Sequence, residues 1–153
     1  MKLKSIYTSV IAALALTAVA HAAHAQDIKL GYNGDLSASP SAQSGQAAVL
    51  GMEAAIADIN AAGGVLGRKL TLVTRDDTSA PPRSIQNMSD LIDRENVVAV
   101  FGPTNSGNAM AWKHIANQKK IPVIGNVGSG TDITKPSSPC LLYTSDAADD
   151  LLC

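Results

Sequence analysis

The feature that most constrains this chain is a strand-to-helix junction, Val97-Val98-Ala99-Val100-Phe101-Gly102-Pro103-Thr104-Asn105-Ser106-Gly107-Asn108. An unbroken apolar run over residues 97–101, rich in β-branched side chains, predicts a strand covered on both faces. The run stops at Gly102 and gives way to a short polar loop. Gly102 and Gly107 flank that loop and let the backbone turn sharply and approach a neighbour closely. A helix is predicted directly afterwards, over residues 108–118. The free N–H groups at such a helix start favour an anionic guest. In an open α/β sheet, ligands sit outside the carboxyl ends of the strands. Thr104, Asn105 and Ser106 are therefore expected to floor a small-molecule site, and not merely to cap a plain connection.

The rest of the chain repeats the same alternation. Residues 27–32 alternate polar and apolar as a first strand, and residues 33–41 read as a loop by their Asn, Gly, Ser and Pro content. A helix follows over 45–62, with Val49, Met52, Ile56 and Ile59 on one stripe and Gln46, Glu53 and Asn60 opposite. Gly63-Gly64 ends it. Residues 69–76 form a second strand closed by Asp76-Asp77, whose carboxylates are expected to satisfy loop N–H groups in one case and to be solvated in the other. A second helix begins at Pro82 or Arg83, where proline is favoured, and buries Ile85, Met88, Leu91 and Ile92. Asn87-Met88-Ser89 matches a glycosylation sequon, a weak signal in mid-helix. The third helix carries Met110, Ala111, Trp112, Ile115 and Ala116 as its apolar positions, and residues 121–124 form a fourth strand. A second polar glycine loop, residues 125–132, follows. The order β-α-β-α-β-α-β with short connections predicts a doubly wound parallel α/β sheet with right-handed crossovers. Its loops at 33–44, 102–106 and 125–129 should converge on one rim.

The two ends differ from this body. Met1-Lys2-Leu3-Lys4, an apolar run over 10–20 and Ala23-His24-Ala25 before Gln26 have the form of a signal peptide over residues 1–25, cleaved after Ala25. The run is shorter than the ~20 apolar residues of a spanning helix, so no membrane insertion is expected after cleavage. Both cysteines, Cys140 and Cys153, lie in the last stretch. Residues 140–149 resemble the translation of a synthetic transposase adapter, so residues 140–153 are set apart as a non-native tail instead of being read as a disulfide framework. The body, residues 26–139, is then neutral, free of cysteine and long enough for one α/β lobe but not for a second.

Several functions are excluded. With 3% aromatic residues and a net charge of −1, the chain has no basic or aromatic-basic face for nucleic acid. Gly102 and Gly107 have P-loop spacing, but Asn108-Ala109 stand where Lys and Ser/Thr are needed. Gly125-x-x-Gly128-x-Gly130 has the wrong order for a dinucleotide fingerprint. Ser106 has no His–Asp partner, and His114 reads as a lone structural or surface histidine. Neither a catalytic constellation nor a metal cluster nor a cofactor motif is found, and an enzyme is not expected.

Ile28-Lys29-Leu30-Gly31-Tyr32, the segment Ile59-Asn60-Ala61-Ala62-Gly63-Gly64-Val65-Leu66-Gly67-Arg68-Lys69-Leu70, Asp76-Asp77, Val100-Phe101-Gly102-Pro103 and Ile121-Pro122-Val123-Ile124 together carry a resemblance. Over essentially all of residues 27–136 the chain resembles the amino-terminal lobe of type I periplasmic binding proteins, of the leucine/isoleucine/valine class serving bacterial ABC importers. The resemblance implies a two-lobed clamp, here with the second lobe missing, that closes on an amino acid and delivers it to ABC permease subunits. It also implies that Ser106 and its loop hold the ligand's α-carboxylate. A Val127 carbonyl and the Ser129 hydroxyl would touch the zwitterion's charged groups, and Thr104 and Asn105 would flank the side-chain pocket. A sensor lobe of the same fold, signalling without transport, is the alternative.

Overall fold

The computed structural model describes residues 26–125 and the short strand Leu142–Tyr143. The elements run β1 (Ile28–Gly34), α1 (Ala42–Ala61), β2 (Leu70–Asp76), α2 (Pro81–Asp93), β3 (Ala99–Phe101), α3 (Ser106–Lys119), β4 (Val123–Ile124) and β5 (Leu142–Tyr143). They build one sheet in the order β2-β1-β3-β4-β5, and every adjacent pair is parallel. The doubly wound reading is thus the observed architecture. Because β1 pairs with β2 on one side and β3 on the other, the winding reverses at β1. Right-handed crossovers then place α1 on one face and α2 with α3 on the opposite one. The strand Leu142–Tyr143 falls in the segment set apart in sequence, and it adds an edge strand that periodicity did not suggest.

Side-chain alternation along β1 sorts the two faces. A Cβ at Gly31 would lie 3.2 Å from Leu91 and 3.3 Å from Val97, and the Asn33 amide reaches Ser84, so these positions face α2 and α3. That face carries the main core, with Met88, Leu91, Val100, Trp112, Ala116 and Val123 fully buried. Tyr32 points to the other face, its hydroxyl 3.1 Å from where a Cβ of Gly45 would stand at the start of α1. Helix α1 is the less buried partner. Val49, Met52 and Ile56 are only half-buried, and Ile59 is exposed.

Several local expectations are corrected. Helix α1 starts at Ala42, and Asn33-Gly34 belong to β1 rather than to the loop. Helix α2 starts at Pro81. On it Met88 and Leu91 are buried and Ile92 partly so, whereas Ile85 is exposed and Ser84 takes the inward place. The third strand spans only Ala99–Phe101, with Val98 52% exposed, so its apolar run is not covered along its full length. Met110 lies on the outer side of α3. Asn60, assigned to the outward side of the first helix, clamps the start of β2. Its side chain donates to the Leu70 carbonyl at 2.8 Å and accepts from the Leu70 amide at 2.8 Å. Gly64, with φ +76°, is needed where it stands, because a Cβ would meet the Arg68 carbonyl at 2.1 Å. Among the described residues, no helix is long and apolar enough to cross a membrane.

Candidate functional site

The first and third loops meet at the carboxyl rim of the sheet, as expected. The link is Thr104, whose hydroxyl accepts from the Asp35 amide at 3.1 Å. Asp35 directly follows β1 and is buried. Its carboxylate accepts from the amides of Ala38 (2.8 Å) and Ser37 (3.1 Å), and from the hydroxyls of Ser39, Ser41 and Ser79. Burial alone would raise this carboxyl. The bonds from Ser39, Ala38, Ser37 and Ser79 outweigh it and hold Asp35 far below the ordinary carboxylate range. Asp76 closes β2 and ties the same loop from the other side. It accepts from the Leu36 and Thr78 amides and from the Ser37 hydroxyl at 2.6 Å. Burial again pushes its carboxyl up, and the bonds from Ser37, Leu36 and Thr78 bring it below the usual value despite repulsion from Asp35.

One carboxylate of the Asp76-Asp77 pair is expected from sequence to be solvated, but both accept loop N–H groups, Asp76 half-buried and Asp77 placed deeper. Asp77 is fully buried. Its Oδ2 accepts from the Ser84 hydroxyl at 2.8 Å and from the Asn108 side-chain Nδ2 at 2.7 Å, and its Oδ1 accepts from the Ser79 backbone amide at 2.9 Å. The Ser84 hydroxyl in turn accepts from the Trp112 indole N–H at 2.9 Å. Asn33 donates to the Ser84 carbonyl at 2.8 Å, and Asn87 donates to Asn33 at 3.1 Å. A polar seam therefore runs under the rim between the sheet, α2 and α3.

The expected site residues divide in three ways. Ser106 is exposed and is the first residue of α3. Asn105 is its N-cap, with an extended backbone and a side-chain oxygen that accepts from the Asn108 amide at 2.8 Å. Thr104 is 3% exposed and turned inward onto the Asp35 amide, so its hydroxyl serves the fold. Val127 and Ser129 lie outside the described residues. The structure thus brings Thr104, Asn105 and Ser106 together at one helix start and leaves the second glycine loop untested.

The two glycines of this loop prove unequal. Gly102 has φ +113°, and a Cβ there would stand 2.0 Å from the Asn33 carbonyl oxygen and 3.2 Å from the Trp112 ring. What it approaches closely is therefore its own sheet. Gly107 lies inside α3, and a Cβ there would make only ordinary contact with Asn105, so it forms no turn. Asp77, Ser84 and Asn108 were missed as a group. A signal for two of them existed, since Ser84 and Asn108 head the buried stripes Ser84-Met88-Leu91 and Asn108-Trp112-Ala116. A polar residue in line with an apolar stripe points inward. Among the described residues, no group of three or more His, Cys, Asp or Glu is placed to hold a metal ion.

A parallel sheet wound from its first strand, with a capped helix start at its carboxyl rim, defines a doubly wound α/β lobe. Residues 27–152 match the family model described as periplasmic binding protein, and the chain belongs to that family. It is 28% identical over 149 residues to the Leu/Ile/Val-binding protein BraC3 of Rhizobium johnstonii, covering 97% of this chain and 39% of that protein. Among solved structures, it is similar to the branched-chain amino acid transporter substrate binding protein LivJ of Streptococcus pneumoniae in complex with isoleucine. There the TM-score is 0.70 with 29% identity, over 77% of this chain and 33% of that one. A solute binding protein of an R. palustris ABC transporter, in complex with 4-hydroxybenzoate, matches with TM-score 0.68 and 28% identity, over 78% of this chain and 31% of that one. The chain spans about two fifths of the length of the curated relative it matches. These relatives are binding proteins, not enzymes.

Proposed function

We propose that this chain is the amino-terminal, ligand-gripping lobe of a periplasmic solute-binding protein. It captures an amino acid of the branched-chain type, or a similar small carboxylate or amide, and delivers it to ABC permease subunits. The observation that carries the reading is the start of α3. Ser106 stands exposed there, just beyond the carboxyl end of β3, on a helix whose first turn Asn105 already caps. Free amides and a hydroxyl at a helix N-terminus suit a carboxylate. Isoleucine and 4-hydroxybenzoate, the guests of two structural relatives, have that group in common.

In this reading Ser106 and the loop amides hold the ligand's carboxylate, and Asn105 borders the side-chain pocket. The Val127 carbonyl and Ser129 hydroxyl complete the grip on a zwitterion. Thr104 supports the loop from behind. Residues 1–25 serve as a leader removed after Ala25, which places the lobe in the periplasm. The test is calorimetric titration of the chain with L-leucine, L-isoleucine, L-valine and 4-hydroxybenzoate, repeated on Ser106→Ala. Saturable uptake of one of them, weakened about tenfold by Ser106→Ala, supports the proposal. Absence of saturable uptake of all four overturns it.

A further inference from the structure

We propose that Asp77 is a positioning residue for this helix start: acting through Asn108 and Ser84, its carboxylate fixes the first turn of α3 against the sheet and against α2. Its own position is set from the strands, since it follows β2 and its amide donates to the Gly34 carbonyl of β1 at 3.0 Å. From there one oxygen reaches two helices, with Asn108 of α3 at 2.7 Å and Ser84 of α2 at 2.8 Å. Trp112, one turn further along α3, donates to the same Ser84 hydroxyl. All four side chains are fully buried, where hydrogen bonds to a charged group outweigh neutral ones.

The residue that Asp77 grips is also the residue that Asn105 caps. Asn108 donates with its side chain to Asp77 and with its backbone to Asn105. Ser106 lies between Asn105 and Asn108, so whatever displaces Asn108 displaces the Ser106 hydroxyl. Apolar packing does little to hold that turn, because Ser106 and Gly107 are exposed and Ala109 alone joins the core cluster there. A carboxylate suits the place, because it accepts all three bonds as the donors stand. An amide at residue 77 would set an N–H against the Ser79 backbone N–H, or would require the Asn108 side-chain amide and the Ser84 hydroxyl to turn round. The purpose assigned to the helix start rests on the function proposed above, whereas the mechanical role does not.

The test uses the 153-residue chain, with amide exchange by NMR and emission of Trp112, the sole tryptophan, measured without ligand. Calorimetry with L-isoleucine is run separately. In Asp77→Asn, exchange at the Asn108 and Ala109 amides is expected to rise about tenfold relative to Leu91 and Ile92 of α2. Trp112 emission moves to the red, and any isoleucine affinity falls by a similar factor. Equal acceleration throughout, or none, overturns the proposal. Asn108→Ala covers the case in which Asp77→Asn does not fold. It keeps the cap, which uses the backbone N–H, and alanine raises helix propensity. A role confined to the helix predicts slower or unchanged exchange at Ala109, and that result overturns the proposal. A positioning role predicts faster exchange. The reciprocal pair Asp77→Asn with Asn108→Asp should return exchange to within about twofold of the parent. If the parent chain takes up no isoleucine while exchange responds as stated, the ligand reading fails and the positioning role stands.

Discussion

Three neighbouring residues at the rim do different work, and single substitutions separate them. Thr104→Val removes the acceptor for the buried Asp35 amide, so it should cost about 1–3 kcal/mol of stability, read as a lower urea midpoint. Ser106→Ala touches an exposed side chain and should leave that midpoint within about 0.5 kcal/mol while weakening ligand uptake. Asp35 and Asp76 govern the response to acid. Both carboxyls lie below their ordinary values in the folded chain. Their contribution is therefore present above about pH 5 and is lost as pH falls through the ordinary carboxylate range toward the folded values. The urea midpoint should drop between about pH 5 and pH 3, and Asp35→Asn should give a lower but flatter profile over that span. Sequence marked Thr104, Asn105 and Ser106 as a polar group. It could not show that Thr104 turns inward, because that depends on an amide from a loop 69 residues earlier.

Among the elements, the helices, the first four strands and their order along the chain were legible because hydrophobic period and glycine punctuation are local signals. Depth was not. A stripe such as Val49-Met52-Ile56-Ile59 looks as apolar as the one on α2, yet α1 packs on the less covered face and stays half-buried. Its backbone bonds should open first. Native-state exchange is expected to show α1 amides exchanging at least about tenfold faster than those around Leu91, Val100 and Ala116. The polar seam was not legible as a unit because, although Ser84 and Asn108 stand in line with apolar stripes, only the fold brings them together with Asp77. The strand-to-helix turn at Gly102 was legible as a turn, but the object it approaches was not. Gly102→Ala forces a left-handed side chain onto the Asn33 carbonyl. It should lower stability by about 1–3 kcal/mol or more, measured by thermal melting.

On the scale of the whole molecule, family membership and the parallel sheet agree, and the function proposed above makes this chain one wall of a binding protein. Ligands are held tightly where most of their surface is enclosed. The 153-residue chain should therefore bind L-isoleucine at least about tenfold more weakly than a relative of full length measured alongside it. Equal affinities would mean that one wall suffices. The placement of β1 has a further consequence for the export proposed above. It is an inner strand, yet its partners begin at Leu70 and Ala99. If residues 1–25 lead the chain out as proposed above, β1 emerges long before either neighbour, and contacts between distant segments form slowly. On that proposal the chain would stay open enough for passage and complete its sheet only on the far side.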